Sequence, residues 1–277
     1  MSLDLTGKVI LITGATDGLG RAVATALAQR GATLLVHGRD RARGEAVVAE
    51  ALAAGSPESR LYKADFATFA DVQRMADAVL ANEPRLDVLV NNAGIIQDTR
   101  QESVNGCELT FQVNYLASFL LTHRLRRLLM ASVPTRIINI ASAGQAPIDF
   151  SDIMLERRWS SWQAYGQSKL AQIMMTLDLA EDLAGSGVTV NALHPATLMP
   201  TKMVLGRFGV KSTLEDGVRN TVRLVSDPSL SEVSGQYFVG DREGRAHPQA
   251  YDCAARMRLL DLSRNYLSLH DRNDLRM

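Results

Sequence analysis

Near its N-terminus the chain contains the run Lys8-Val9-Ile10-Leu11-Ile12-Thr13-Gly14-Ala15-Thr16-Asp17-Gly18-Leu19-Gly20. Residues 8–13 are mostly apolar and β-branched, which predicts a buried strand. The glycines that follow predict a tight turn, and helical spacing then predicts a helix over 20–30 that ends at Gly31. Free N–H groups at a helix start favour anions, so this unit is typical of a dinucleotide site. Glycine-rich turns also occur for packing alone, and the spacing here differs from G-x-G-x-x-G.

The same alternation continues along the chain and predicts a doubly wound parallel sheet flanked by helices, an α/β fold of the Rossmann type. Further strands are predicted over 33–37, 60–64, 86–90, 136–140 and 188–193. Helices are predicted over 41–54, 69–82, 108–130 and 165–183. Two irregular segments, 143–161 and 196–212, are long enough to suggest functional loops. We expect one domain over residues 1–277, with a substrate lid around 196–212 and a C-terminal helical extension around 247–270.

Composition narrows the class of protein. The chain has 277 residues, of which 46% are hydrophobic, and its 30 basic and 30 acidic side chains give a net charge of zero. This balance argues against a nucleic-acid or membrane-surface binder. Cys107 and Cys253 cannot form a disulfide framework and fit a reducing compartment. No signal peptide and no membrane anchor are expected from the sequence, and we expect a cytoplasmic protein.

A second motif is Tyr165-Gly166-Gln167-Ser168-Lys169. Tyr165 and Lys169 are four residues apart and share one face of the predicted helix. A cation beside a phenol lowers the phenol pKa from ~10, which suits a general acid–base tyrosine. Ser142 follows the predicted strand 136–140, at the edge where open α/β sheets bind ligands. The alternatives are a helix-surface pair and a serine that caps a turn.

Together these motifs resemble the short-chain dehydrogenase/reductase family over essentially the whole chain. The matching residues are Thr13-Gly14-x-x-x-Gly18-x-Gly20, Asp65, Asn91-Asn92-Ala93-Gly94, Asn114, Ser142, Tyr165-x-x-x-Lys169 and His194-Pro195. The chain is most similar to the retinol-dehydrogenase-like, NADP-dependent group within this family. Two positions depart from the family pattern: Ala196 replaces the usual glycine, and Pro200 replaces a threonine, with Thr201 one place later.

The resemblance implies a proton relay of Tyr165, Lys169, Ser142 and Asn114. Tyr165 would exchange a proton with the substrate oxygen, and Lys169 would bind the nicotinamide ribose. Ser142 would orient the carbonyl group, and Asn114 would position a water between Lys169 and solvent. The nicotinamide cofactor would supply the hydride chemistry.

The resemblance also implies a cofactor site along the predicted carboxyl edge of the sheet. Asp65 would contact the adenine, and Asn91 with its neighbours would line the cofactor floor. The expected cofactor contacts are Gly14, Thr16, Asp17, Gly18, Leu19, Gly20, Arg39, Arg43, Asp65, Phe66, Asn92, Ala93, Gly94, Tyr165, Lys169, Pro195 and Thr197.

The residues after the second predicted strand bear on the choice of cofactor. Asp40 lies twenty residues after Gly20 and could bind ribose hydroxyls, as in NAD sites. Arg39 precedes it, and a guanidinium matches a phosphate in geometry and charge, with Arg43 able to add a second charge. The family pattern agrees, although Asp17 stands where many NADP-preferring relatives have a basic residue. We therefore expect NADP(H) to be preferred over NAD(H).

Both irregular segments are rich in apolar side chains, which could form satellite core or a hydrophobic substrate pocket under a mobile lid. The first contains Pro147, Ile148, Phe150, Ile153, Met154, Leu155, Trp159 and Trp162; the second contains Leu198, Met199, Met203, Val204, Leu205 and Phe208.

The expected function is oxidoreduction of a small apolar alcohol or carbonyl substrate with NADP(H). One alternative is another reaction on this scaffold, such as epimerisation, dehydration or reduction of an activated double bond. The other is a nucleotide-sensing binding protein without turnover. His37, His123 and His194 lack metal-ligand spacing, so no metal is expected. The family resemblance is compatible with a homodimer and with a monomer.

Overall fold

The computed structural model describes residues 4–267, whose strands form a single eight-stranded sheet. The strands are β1 Val9–Ile12, β2 Thr33–Gly38, β3 Ser59–Lys63, β4 Val88–Asn91, β5 Thr135–Ile140, β6 Val188–His194, β7 Tyr237–Val239 and β8 Arg242–Glu243. Their order is β3-β2-β1-β4-β5-β6-β7-β8, and only β8 pairs antiparallel, with β7. The predicted doubly wound α/β fold is therefore confirmed. The order reverses between β1 and β4, which opens a crevice at their carboxyl ends.

Helices cover both faces of the sheet. They are α1 Gly18–Ala28, α2 Arg41–Ala54, α3 Phe69–Asn82, α4 Leu109–Phe111, α5 Ala117–Ala131, α6 Ser161–Asp182, α7 Leu214–Ser226 and α8 Cys253–Tyr266. A π-helical turn, Gln112–Leu116, joins α4 to α5. None of the helices within residues 4–267 has the length and apolar character needed to cross a membrane.

The sheet supplies two cores because alternate strand residues point to opposite faces. In β1, Leu11 packs with the layer that holds α3, α5 and α6, whereas Ile10 and Ile12 pack with the layer of α1, α2 and α7. All three side chains are fully buried. Burial of each such side chain contributes about 1.5–3 kcal/mol, which explains why the strands are almost continuously apolar.

Two helices begin earlier than the sequence pattern predicts. The Asp17 side chain accepts a hydrogen bond from the Gly18 N–H, so α1 begins at Gly18 rather than at residue 20. Ser160 likewise caps α6, which begins at Ser161 rather than at residue 165. Capping side chains satisfy N–H groups that a helix start leaves free, so they extend α1 by part of a turn and α6 by about one turn.

Three elements were not predicted: α7, β7 and β8. A signal for α7 was present, because Thr213 and Asp216 form a capping box at its start. The strands β7 and β8 have only three and two residues, too few to show an alternating pattern.

The C-terminal extension packs on the outside of α6. Within α8, Arg256 is buried and pairs with Asp178 at 2.9 Å and with Glu181 at 2.7 Å. The Tyr115 and Ser263 hydroxyls lie 2.8 Å apart, which ties α8 to the π-helical turn as well. Residues 268–270 of the predicted extension lie outside the described residues.

Candidate active site

The glycine-rich turn is fastened to the end of β4. The Thr13 hydroxyl accepts hydrogen bonds from the N–H groups of Asn92 and Ala93, both at 2.9 Å. The Asn92 amide donates to the Thr13 carbonyl at 2.8 Å. Gly14 has a φ of +63°, and a Cβ there would lie 2.8 Å from the Cα of Ala93. Only glycine fits this position, so the two strand ends form one continuous floor.

The start of α1 has the shape that a pyrophosphate requires. A Cβ at Gly20 would lie 2.3 Å from the Gly14 carbonyl oxygen, so the helix begins directly against the turn. Gly18 has a φ of +50°, which favours glycine, and a Cβ there would lie 3.3 Å from the Thr201 side chain. The first turn of a helix has N–H groups without intrahelical partners, which can bind phosphate oxygens. The Leu19 side chain is buried, so its contact would come from the backbone.

The ends of β2 and β3 lie next to the glycine-rich turn, where the family resemblance expects the adenosine part of a cofactor. The His37 ring accepts a hydrogen bond from the Gly14 N–H at 3.0 Å and stacks on Phe66 at 4.2 Å. Burial lowers the pKa of His37 to about 4, so the ring is neutral and structural. Asp65 accepts a hydrogen bond from the Ala67 N–H at 3.0 Å, which shapes its own turn. Phe66 is buried, so its backbone alone could face an adenine.

The residues after β2 divide into a capping carboxylate and exposed cations. Asp40 caps α2 by accepting a hydrogen bond from the Arg43 N–H at 2.9 Å, so one of its oxygens is already engaged. Arg39 and Arg43 are exposed, whereas Arg41 pairs with Glu45 at 3.2 Å. This arrangement favours the arginines over Asp40 as the groups that face a bound cofactor.

The Tyr165 and Lys169 side chains lie together at the carboxyl end of β5. The Lys169 ammonium is 5.7 Å from the centre of the Tyr165 ring. It donates to the Ile140 carbonyl and to the Gln172 side-chain oxygen, each at 2.8 Å. Burial lowers the pKa of Lys169 to about 7.

The electrostatics of Tyr165 differ from the prediction that Lys169 lowers its pKa. Burial raises the pKa of Tyr165, and the opposing effect comes from a hydrogen bond with the Ser142 hydroxyl. The Lys169 ammonium is turned towards Ile140 and Gln172, which explains why it does not contribute here. The Ser142 hydroxyl also accepts a hydrogen bond from the Gly144 N–H at 3.0 Å.

Asn114 lies in the π-helical turn and its side chain is engaged at both ends. Its oxygen accepts a hydrogen bond from the Ile95 N–H at 2.7 Å. Its nitrogen donates to the Ile95 carbonyl at 3.0 Å and to the Ser168 hydroxyl at 2.9 Å. The amide therefore clamps the segment after β4 to α6. The expected role of Asn114 in positioning a water stays a prediction.

The prediction that Asn91 lines the cofactor floor is wrong for its side chain. Asn91 is fully buried and donates to the Thr122 hydroxyl at 3.0 Å and to the Asn139 side chain at 2.8 Å. These partners lie on α5 and β5, inside the core. Strand residues alternate between faces, so the site is left to Asn92, Ala93 and Gly94 at the strand end.

The loop over residues 196–212 runs across the crevice. Lys202 forms an ion pair with Asp17 of the glycine-rich turn. Further along, Arg207 makes two hydrogen bonds with Asp98, at 2.9 and 2.7 Å, on the segment that follows β4.

The two expected cofactor contacts near this loop are differently exposed. The buried Pro195 accepts a hydrogen bond from the Asn220 amide at 2.8 Å through its carbonyl. The exposed Thr197 has its hydroxyl 3.0 Å from the His194 ring.

The apolar segments divide between core and site. In the first, Ile148, Ile153, Met154 and Leu155 are buried in the core. In the second, Met199 and Val204 are buried. The exposed members are Pro147, Trp162, Leu205 and Phe208. Of these, Trp162, Leu205 and Phe208 are 52%, 56% and 43% exposed. The satellite-core interpretation therefore holds for six of the fourteen residues in the set, and four of the others are exposed.

Two groups behind the site were missed by the sequence analysis. Tyr237 of β7 and the Gln145 amide both donate to the Ser142 carbonyl at 3.0 Å. Gln172 contacts Lys169, and its position three residues later on the same helix is a signal that could have been used. Across residues 4–267, no three His, Cys, Asp or Glu side chains are grouped to hold a metal ion.

The comparison of sequences and the comparison of structures point to the same family. Residues 8–208 match the family described as short chain dehydrogenase. The chain is 36% identical to retinol dehydrogenase 14 of Homo sapiens, over 93% of this chain and 85% of that protein. An uncharacterised protein from Mycobacterium paratuberculosis superposes with a TM-score of 0.80 and 26% identity, covering 96% of this chain and 95% of the other. A Shigella flexneri short chain dehydrogenase complexed with NADP has a TM-score of 0.73 and 25% identity, covering 87% of this chain and 100% of the other.

Proposed function

This chain belongs to the short-chain dehydrogenase family and is an oxidoreductase of CH–OH and C=O groups, and on that premise we propose that it uses NADP(H) to interconvert an apolar alcohol and its carbonyl compound. The observation that carries the proposal is the grouping of Ser142, Tyr165 and Lys169 beside the glycine-rich turn. A nucleotide sensor without turnover would have no need of these three groups together.

The crevice fits a dinucleotide. The close packing that Gly14 and Gly20 allow places the free N–H groups at the start of α1 at the crevice, where they could bind a pyrophosphate. A Cβ at Gly94 would lie 3.5 Å from the buried Lys169 ammonium, so Gly94 lies next to the expected ribose site. A bound nicotinamide would supply or accept the hydride.

The protein residues would manage the proton. The Tyr165 hydroxyl would donate a proton to the substrate oxygen during reduction and take it back during oxidation. The Ser142 hydroxyl would hold the same oxygen, because it lies close enough to the Tyr165 hydroxyl to lower the pKa of that group. The Lys169 ammonium would bind the ribose, and in that position its charge would favour the phenolate of Tyr165.

Preference for NADP(H) is supported by the exposed cations after β2. Arg39 is exposed, and none of residues 4–267 forms a hydrogen bond or ion pair with its guanidinium. Arg43 acts electrostatically on Asp17, so it lies on the same side of the crevice as the glycine-rich turn. A structural neighbour from Shigella flexneri was solved with NADP, which agrees with this choice.

The substrate class follows from the exposed apolar side chains. Trp162 at the start of α6 lies against Gly144, two residues after Ser142, and it could cover an apolar substrate. Leu205 and Phe208 lie on the 196–212 loop, which we assign as a substrate lid. An apolar substrate would gain from contact with these surfaces.

We further assign a single-domain monomer in a reducing, cytoplasmic compartment. The outer surface of α6 is occupied by α8 through Arg256, Asp178 and Glu181, which leaves less of it for a second copy. Cys107 and Cys253 are both free, as a reducing compartment requires. Light scattering of the full chain would test the assembly state.

The central test is turnover. The purified protein is incubated with NADPH and a panel of apolar and polar carbonyl compounds, and loss of absorbance at the reduced nicotinamide band is followed. We expect turnover with the apolar members. Tight NADPH binding without turnover of any member, or of the corresponding alcohols with NADP⁺, would point instead to a nucleotide-binding protein.

A further inference from the structure

We infer that Gln172 is a positioning residue for Lys169, and that its side-chain oxygen sets where the lysine ammonium sits and how readily it holds its proton. This inference rests on the proposed function, because it gives Gln172 a task in the same proton relay. Gln172 is distinct from the residues that would touch cofactor or substrate, since it acts through Lys169.

The contact is built by the helix. Gln172 follows Lys169 by three residues on α6, so the two side chains share one face. The Lys169 ammonium donates to the Gln172 oxygen and to the Ile140 carbonyl, each at 2.8 Å. Both side chains are buried, Gln172 completely. An ammonium has three N–H donors, so these two acceptors leave one for a ribose.

The Gln172 side chain has no other hydrogen bond within residues 4–267. Its amide nitrogen is buried and finds no partner in this part of the chain. A buried polar atom without a partner destabilises a fold, and an apolar side chain of the same size would avoid that cost. The need for an acceptor beside Lys169 therefore explains this glutamine better than packing does.

Gln167 provides the contrast. It lies on the same helix and is also fully buried, but its amide donates to the Ile153 carbonyl at 2.8 Å. It therefore supports the loop before α6 and makes no hydrogen bond to Lys169. The two glutamines have the same chemistry and burial and differ in their partner.

In the described part of the chain, few titratable groups lie near Lys169, so an effect of Gln172 on the pKa of Lys169 can be measured. Tyr165 on α6 is the titratable group beside the ammonium, and Tyr237 on β7 faces Tyr165 from behind. The segment after β4 and the π-helical turn contribute the uncharged Gly94 and Asn114. Burial lowers the pKa of Lys169 to about 7, and no carboxylate or second cation in residues 4–267 contributes to that shift.

The test compares two variants of similar size with a matched control. Gln172→Met removes the acceptor, Gln172→Glu replaces it with a negative one, and Gln167→Met changes the control position. The readout is a ¹³C NMR titration of the lysine side-chain ε-carbons in the cofactor-free protein. The chain has five lysines, so the signal lost in Lys169→Met identifies Lys169.

We expect Gln172→Met to lower the pKa of Lys169 by about one pH unit, because the charged form loses a hydrogen bond. Gln172→Glu should raise it by at least as much, and Gln167→Met should leave it unchanged. If Gln172→Met does not fold, the test rests on Gln172→Glu, because glutamate has nearly the same size as glutamine and is also polar. An unchanged Lys169 titration in the Gln172 variants, or an equal shift in Gln167→Met, would overturn the inference.

A second arm follows reduction of octanal by NADPH across pH. The pH profile of kcat should move in opposite directions in Gln172→Met and Gln172→Glu, whereas a merely structural defect would lower kcat without moving the profile. Absence of turnover in the wild type with every carbonyl compound would count against the proposed function. The NMR titration would still decide the role of Gln172, so the two failures are distinguishable.

Discussion

Asp17 and Lys202 form an ion pair across the crevice, although 185 residues separate them in the chain. Asp17 lies in the glycine-rich turn and caps α1, and Lys202 lies on the 196–212 loop, the proposed substrate lid. The hydrogen bond from Lys202 holds the pKa of the Asp17 carboxyl below its usual value, and the charge of Arg43 adds to this effect. By itself, the Asp17 carboxylate would repel a phosphate bound at the start of α1. The positive charge of Lys202 reduces this repulsion.

Removing this lysine should therefore weaken binding of the cofactor. Lys202→Met is expected to raise the Kd for NADPH about two- to fivefold at low salt, because an exposed ion pair is worth up to about 1 kcal/mol. Adding Asp17→Asn should restore binding. Quenching of NADPH fluorescence measures both. Lys211→Met, on the same loop, is the control, and equal Kd values for wild type and Lys202→Met would contradict the coupling.

Tyr165→Phe should lower kcat by a factor on the order of 10² or more, with NADPH affinity changed only a few-fold. The ring remains and only the proton donor is lost. Steady-state kinetics and cofactor titration measure the two quantities separately, with Tyr251→Phe as the control. Near-normal turnover in Tyr165→Phe would remove the proposed proton donor.

The cofactor preference should depend on Arg39. The wild type is expected to have a KM for NADPH at least ~10-fold below that for NADH, a difference of about 1.4 kcal/mol. Arg39→Ala should remove most of this difference and leave NADH use almost unchanged. Arg41→Ala, whose arginine already pairs with Glu45, should retain the preference. An Arg39→Ala enzyme that still prefers NADPH would refute the assignment.

Apolar substrates should react better than polar ones of equal length. Each added methylene in a series of aliphatic aldehydes should raise kcat/KM several-fold, up to ~0.8 kcal/mol per buried CH₂, until the pocket is full. Phe208→Ser should flatten the trend if the lid contacts the substrate. If kcat/KM of the wild type does not change with chain length, the lid side chains do not contact the substrate and serve packing only.

The buried Lys169 should make stability depend on pH. Its pKa is about 7 in the fold and ~10.4 in an unfolded chain, so between these values the unfolded state binds more protons. Stability therefore rises with pH in this window, by up to about 1.4 kcal/mol per pH unit from this group, and the burial cost is present in full below pH 7. Urea unfolding from pH 6.5 to 10 of wild type and Lys169→Met, with Lys63→Met as control, should show this slope difference. Parallel curves would contradict it.

The sequence was sufficient for the repeating part of the fold. Bounds for α2 and α3 agree with the prediction residue for residue. The limits of α2 are clear in the sequence, because Asp40 caps it and Gly55 ends it in the left-handed conformation, whereas Thr68 before α3 makes no capping hydrogen bond through its side chain. The length of α2 therefore follows from local chemistry. The strands β1, β2 and β6 were found for the same reason, as apolar runs between such limits.

The sequence did not show which partner each polar side chain contacts in the fold. Asn91 matches the family motif, yet its side chain points into the core, where Thr122 and Asn139 accept its hydrogen bonds. Lys169 was paired with Tyr165 from spacing, but its strongest contacts are with Gln172 and the Ile140 carbonyl. Spacing indicates which residues share a helix face, and it does not indicate which acceptor a flexible side chain will choose.

The π-helical turn Gln112–Leu116 makes one part of the chain intolerant of changes in length. Such a turn contains a residue more than an α-helical turn, and each residue in an α-helix advances by about 100°. Deleting one residue here would restore regular winding but rotate the two flanking segments against each other. Either Asn114 would turn away from Ile95, or Phe111 would turn out of the core. The surrounding loops can accept insertions and deletions during evolution. In the π-helical turn, loss of a single codon would break either the hydrogen bonds between Asn114 and Ile95 or the packing of Phe111 in the core.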